Sequence, residues 1–173
     1  MSEAARDTGT GAAAGSGTAA GRLVVGVDGS EPSLKALRWA ARQAALTGDA
    51  LEAVIAWEMP SAYGWAGLPG LPDDVDLEAN ADQVLARAVE TALTPEQART
   101  VTRRTVLGNP AQAILDTGEG ADLIVVGVRG HGTFRSTLLG SVSHTVTVHA
   151  SCPVVVVRGT AGTAVTAPAG GGS

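Results

Sequence analysis

The sequence predicts an α/β domain: an open parallel sheet of five strands with helices on both faces. Three observations carry this. Short apolar, β-branched runs alternate with stretches of helical periodicity in the order βαβαβαβαβ, the pattern of repeated right-handed crossovers. The runs Leu23–Val25, Leu123–Val126 and Val154–Val157 are continuous, as in strands covered on both faces. Hydrophobic residues make up 45% of the chain and aromatic residues only 3%, so the core is built from Val, Leu, Ile and Ala.

The elements follow in order. Residues 1–20 are mostly Gly, Ala, Ser and Thr without periodicity and read as a disordered tail. Strand 1 spans Arg22–Val27. Asp28-Gly29-Ser30 makes the turn, Ser30 or Gly29 caps the first helix, and Pro32 sits where a first turn tolerates proline. That helix runs to about Leu46, with Leu34, Leu37, Ala41, Ala44 and Ala45 as its buried stripe, and Gly48 ends it. Strand 2 spans Leu51–Trp57. Residues 58–72 hold three prolines and three glycines, too broken for a regular element, and are expected to form a mobile loop. The second helix runs from near Asp73 to about Leu93, burying Leu77, Ala81, Val84, Leu85, Ala88 and Ala92. Strand 3, Thr100–Val106, mixes polar and apolar residues as a half-exposed edge does. Asn109 caps the third helix, with Pro110 at its first position and Ala111, Ile114 and Leu115 inward. Strand 4, Leu123–Val126, ends at Gly127. After a glycine-rich loop, Gly140-Ser141 opens the fourth helix, which carries His144 and His149. Strand 5 is Val154–Val157. Residues 159–173 are uncharged and read as a second disordered tail. One domain, 21–158, remains, without an internal repeat.

Composition excludes several classes. A net charge of −5 argues against a general binder of nucleic acid or of membrane surfaces. No stretch approaches the roughly 18 apolar residues of a membrane span. The opening Met-Ser-Glu-Ala-Ala-Arg-Asp has no apolar core of a secretion signal, so the expected location is the cytoplasm. The single cysteine, Cys152, excludes an internal disulfide and reads as a small buried apolar residue.

The loop between strands 4 and 5 has the parts of a phosphate site. Glycines let backbone N–H groups approach a ligand, and a helix N-terminus offers unpaired N–H groups and a positive dipole end. Ser141 either caps that helix or donates to a phosphate oxygen. After Asp122 the chain holds no Asp or Glu, while Arg129, Arg135, Arg158, His131, His144 and His149 all lie there. The spacing Gly127-x2-Gly130-x9-Gly140-Ser141 is neither a P-loop nor a dinucleotide fingerprint. Arg129 and His131 either meet phosphates or are solvated loop side chains. His144 and His149 read as structural, and three histidines without spaced partners make no metal site. Asp28, following strand 1, can accept hydroxyl hydrogens or help hold Mg²⁺, or it shapes the turn as an Asx residue.

The Gly-x2-Gly-x9-Gly-Ser spacing resembles the ATP-binding motif of the universal stress protein family. The flanks Ala121–Gly127 and His149–Arg158, and the opening Val25-Gly26-Val27-Asp28-Gly29-Ser30, resemble that family too. The similarity spans residues 21–158. It implies a Rossmann-like sheet of the adenine nucleotide alpha hydrolase-like kind, in the order 3-2-1-4-5. It further implies ATP with Mg²⁺ (or Mn²⁺), and a homodimer through strand 5, Val154–Val157. The implied nucleotide contacts are Gly26, Val27, Asp28, Trp57, Gly127, Val128, Arg129, Gly130, His131, Gly140, Ser141, Val142 and Ser143, with Asp28 on the ribose and metal side. Trp57 stands where the family reads adenine through main-chain groups. It is larger than the usual aliphatic residue, so its ring is expected to cover the base or partly fill the pocket. The implied role is a nucleotide-dependent sensor or regulator of the stress response, with an unidentified protein partner and little turnover. The alternatives are a slow ATPase or phosphate-transferring enzyme using Arg129 and Asp28, and an interaction module binding another adenine nucleotide.

Overall fold

The computed structural model describes residues 20–58, 76–129 and 139–158. Residues 1–19 and 159–173 of the expected tails, residues 59–72 of the expected loop after strand 2, and Gly130, His131 and Arg135 lie outside the described residues. The described elements are β1 (Arg22–Gly26), α1 (Glu31–Thr47), β2 (Ala50–Trp57), α2 (Leu77–Ala92), α3 (Pro95–Thr100), β3 (Val101–Leu107), α4 (Pro110–Thr117), β4 (Leu123–Gly127), α5 (Ser141–His149) and β5 (Val154–Val157). All strand pairs are parallel, in the order β3-β2-β1-β4-β5, which is the predicted sheet.

Period-two alternation divides the strands between two cores. Leu23, Val25, Leu51, Ala53 and Ile55 face α1 and α2, meeting Leu37, Ala40, Ala44 and Leu85. Val24, Val54, Ile124 and Val126 face α4 and α5, meeting Ala111, Ile114 and Val146. Leu37, Leu85 and Ile124 are among the largest fully buried side chains, each worth about 1.5–3 kcal/mol of transfer free energy. Cys152 is half-buried against the second core. Burial pushes its thiol above the ordinary value.

Several boundaries differ from expectation. Ser30 is the N-cap of α1, its side chain accepting from the Ser33 N–H, and Gly48, at φ 79°, ends the helix. Ala45, placed in the buried stripe, is exposed; the inward face is Ser33, Ala36, Leu37, Ala40, Ala41 and Ala44. The helix α2 begins at Leu77 under an Asp76 cap rather than near Asp73. The short helix α3 was not expected. It rests on a capping box in which Thr94 and Gln97 exchange bonds. Gly140, not Ser141, is the N-cap of α5, with no side-chain cap bond.

At the amino end of the strands, Glu52 is buried between two arginines. Its carboxylate meets Arg22 Nη1 at 2.8 Å and Arg104 Nε at 2.6 Å. Arg22 also donates to the carbonyls of Thr117 and Glu119, tying the end of α4 to β1.

The outer edge of β5 is defined by its pairing. The carbonyls of Pro153 and Val157 accept from the Ile124 and Val128 N–H groups. By alternation Val155 also faces β4, while Val154 and Val156 turn their backbone groups outward. No described helix is long and apolar enough to cross a membrane.

Candidate functional site

The central strand β1 lies between β2 and β4, where crossovers leave in opposite directions. Ligands of open α/β sheets bind at the carboxyl ends of the strands at such a point. A cleft opens there. Its lining is Gly26, Val27 and Asp28 after β1, Ser33 of α1, Val54 and Ala56 of β2, Pro110 and Ile114 of α4, Val126, Gly127 and Arg129 of β4 and its end, and Val142 and Ser143 of α5. The space, open mouth included, is about 580 Å³. The inner wall is hydrocarbon; Asp28, Ser33, Arg129 and Ser143 supply the polar groups.

The turn after β1 is closed by hydrogen bonds. Asp28 Oδ1 accepts from the Ser30 N–H (3.0 Å) and from Ser30 Oγ (2.6 Å). Ser33 Oγ donates to the Ser30 carbonyl (2.9 Å) and accepts from the Asp28 N–H (3.3 Å). Asp28 therefore acts as an Asx-turn residue with one of its oxygens, while lining the cleft.

The far wall is anchored at the end of β4. Ser143 is 3% exposed and its Oγ donates to the Gly127 carbonyl at 2.7 Å. The Gly140 N–H donates to the Val128 carbonyl, and the Val128 N–H to Val157, both at 2.9 Å. These bonds hold the N-terminus of α5 against the sheet. The first N–H groups of a helix have no intrahelical partner, and its N-terminus carries partial positive charge. That end of α5, beside Arg129, suits an anion.

Of the thirteen candidates, the structure gathers Gly26, Val27, Asp28, Gly127, Arg129, Val142 and Ser143 around the cleft. Val128, Gly140 and Ser141 lie outside its lining, the first two serving the anchoring bonds above. Gly130 and His131 lie outside the described residues. Trp57 corrects the expectation. Its side chain packs against the core beneath α1 and α2, on the opposite face of β2 from the cleft, and its carbonyl accepts from the Gly108 N–H. The ring neither covers nor fills the cleft; alternation places Ala56 and Val54 there instead. The sequence reading missed Ser33, Val54, Ala56, Pro110, Ile114 and Val126. Alternation back from Trp57, and helical spacing from Pro110 to Ile114, were the available signals. His144 and His149 are exposed on α5, so neither is a core histidine; the buried residues of that helix are Ser143 and Val146. Among the described residues, no three His, Cys, Asp or Glu gather to hold a metal.

Comparison with known proteins yields a consistent set. The model of the universal stress protein family matches residues 20–158. The universal stress protein Rv2623 of Mycobacterium tuberculosis H37Rv is 35% identical over 136 residues, 79% of this chain and 44% of the relative. A universal stress protein of Thermus aquaticus, named for the QAH/OAS sulfhydrylase 3' region, is 34% identical over 139 residues, 79% of this chain and 97% of the relative. The chain thus spans about half the length of the mycobacterial relatives and nearly all of the Thermus one. Among solved structures, a universal stress protein in complex with cAMP superposes with a TM-score of 0.54 at 29% identity, covering 81% of this chain and 98% of that one.

Proposed function

The chain belongs to the universal stress protein family, and we propose that its cleft binds ATP with Mg²⁺ or Mn²⁺, as a nucleotide-dependent sensor in the cytoplasmic stress response. The observation that carries this is the apolar slot at the switch point, with Asp28 on one side and the N-terminus of α5 with Arg129 on the other. The slot takes the flat base. Asp28 meets ribose hydroxyls or the metal. The end of α5 takes the phosphates. One carboxylate suits Mg²⁺, which keeps several waters and arrives on phosphates rather than entering an all-protein cage. When bound, the metal neutralises phosphate charge. A solved relative in complex with cAMP makes a cyclic adenine nucleotide the competing ligand.

Mass spectrometry on the denatured, purified protein tests for a co-purified nucleotide, and calorimetry compares ATP with cAMP. In Gly140→Val the added side chain stands at the N-cap of the phosphate-binding helix. ATP binding is expected to weaken at least ten-fold, about 1.4 kcal/mol. Gly140 has an ordinary φ of −69°, so the variant carries no backbone strain, and unchanged affinity would sink the phosphate assignment.

Turnover is expected to be below about 0.01 per second, roughly a thousand-fold slower than ordinary enzymes. Asp28 is the one carboxylate among the described cleft residues, and one of its oxygens is engaged in the turn. A general base free to take a proton from water is what hydrolysis needs. Several phosphates released per second, lost in Asp28→Ala, would favour the second reading instead, an ATP-hydrolysing or phosphate-transferring enzyme.

We further propose a homodimer through the outer edge of β5. Four consecutive valines leave that edge without an internal charge or proline to blunt it, and pairing with its own copy closes a two-fold contact. Because Val156 turns its backbone outward, Val156→Pro should give a folded monomer in sedimentation. Val155→Pro, on the β4 side, should destabilise the fold instead. A wild-type chain that sediments as a monomer at micromolar concentration contradicts the dimer.

A further inference from the structure

We propose that Ile114, seated in the space Gly26 leaves open, sets the depth of the cleft and so decides which substituted bases it admits; the proposal rests on the adenine-nucleotide reading above. A Cβ at Gly26 would lie 2.5 Å from Ile114 Cδ1 and 3.2 Å from its Cγ1, with Val126 Cγ1 at 3.6 Å. Gly26 is not among the described glycines of positive φ, so its backbone does not demand glycine. What uses the missing side chain is the far end of Ile114.

The surroundings make this a floor rather than a loose contact. Pro110 and Ile114, one turn apart on α4, both line the cleft. The helix start is held by Asn109, whose Oδ1 accepts from the Ala111 and Gln112 N–H groups. Its far end is held by Arg22 on Thr117 and Glu119. On the sheet side Gly26 is in register with Val54 of β2. With both walls fixed, the volume shared by positions 26 and 114 sets how far a ligand enters. The floor is hydrocarbon, so it accepts a C–H edge of a purine and leaves a buried polar substituent without a partner. Adding a methyl at position 26 drives Ile114 into the cleft; shortening Ile114 deepens it.

The test is calorimetry on the full chain with ATP, AMP, and AMP bearing an alkyl group at C2, N6 or C8. Gly26→Ala is expected to bind ATP about 10-fold more weakly, the size of one misplaced methyl in an apolar pocket. The double variant Gly26→Ala with Ile114→Val should return to within about three-fold of wild type, a rescue that a general loss of structure would not show. Ile114→Ala should raise the affinity for at least one alkylated AMP relative to AMP by about 10-fold. A folded Gly26→Ala with wild-type ATP affinity overturns the proposal, as does a double variant no better than the single. If Gly26→Ala does not fold, the Ile114→Ala arm decides: unchanged ratios across all three analogues overturn it. Wild-type protein that binds no nucleotide overturns instead the reading beneath it.

Discussion

Gly127→Ala is expected to lose about 3 kcal/mol of folding stability in urea titrations, the upper end of ordinary overpacking, and Gly127→Val to yield no soluble folded protein. A Cβ at this position would fall 2.7 Å from the carbonyl carbon and oxygen of Pro32 and 2.9 Å from the Ser33 nitrogen. These are backbone atoms in the first turn of α1, and that turn is closed by the Ser30 and Ser33 bonds. Nothing there can rotate away, unlike the end of Ile114 at Gly26. The Gly127 carbonyl also accepts from the buried Ser143 hydroxyl, so pushing β4 outward disturbs α5 as well. In a domain of this size the loss corresponds to a fall of about 6–12 °C in melting temperature. A Gly127→Ala protein within about 0.5 kcal/mol of wild type would show that β4 and α1 separate more easily than their backbones suggest. Lost ligand binding in Gly127 variants would thus report a lost fold, which distinguishes this glycine from Gly140.

Arg22→Met is expected to cost about 2 kcal/mol, and Arg104→Met less than about 1 kcal/mol, although both arginines meet the same carboxylate. The difference follows from exposure and from the other bonds each makes. The Arg22 side chain is 34% exposed and that of Arg104 is 55% exposed, whereas Glu52 is 9% exposed. An ion pair open to water contributes little. Arg22 in addition donates to two main-chain carbonyls at the end of α4, a part-buried one at Thr117 and an exposed one at Glu119, and a hydrogen bond to a charged group is worth about 1.5–3 kcal/mol before screening. Glu52→Ala should fall near Arg22→Met, because it leaves two cations facing each other across an apolar strand. High salt should narrow the gap between wild type and Arg104→Met and leave Arg22→Met largely unchanged. Equal costs for the two arginines would refute the asymmetry.

The sheet was legible because its signals are local and redundant. Strands 1, 4 and 5 are short apolar runs, and the crossover helices carry cap signals such as Ser30 and Asn109. What escaped depends on partners far apart in the chain. Nothing near Glu52 announces that Arg22 and Arg104 will enclose it. The helix α3 carries a capping signal at Thr94–Gln97, but it buries none of its residues, so it leaves no periodic trace. Of the site, the β1 turn and the ends of β4 and α5 could be read from residue type. Trp57 ends β2 beside the site, but the face its ring takes is set by the packing of β2 against α1 and α2. Ser141 and Gly140 are both acceptable caps by composition, and only backbone geometry separates them.

The two strands that frame the cleft meet late in the sequence. Contacts between the start of β1 and the start of β2 join residues 28 apart, as in Gly21 with Asp49. Contacts between β1 and the start of β4 join residues 100 apart, as in Arg22 with Asp122. Closing the longer loop costs about 1 kcal/mol more chain entropy, and long-range parallel pairing is intrinsically slow. A chain that has joined β1, α1 and β2 holds Gly26, Asp28, Ser33, Val54 and Ala56 but lacks the opposite wall. On this order of assembly the cleft is completed only when β4 and α5 dock, so the proposed nucleotide is expected to slow unfolding and to leave the refolding rate unchanged in stopped-flow measurements with and without ATP.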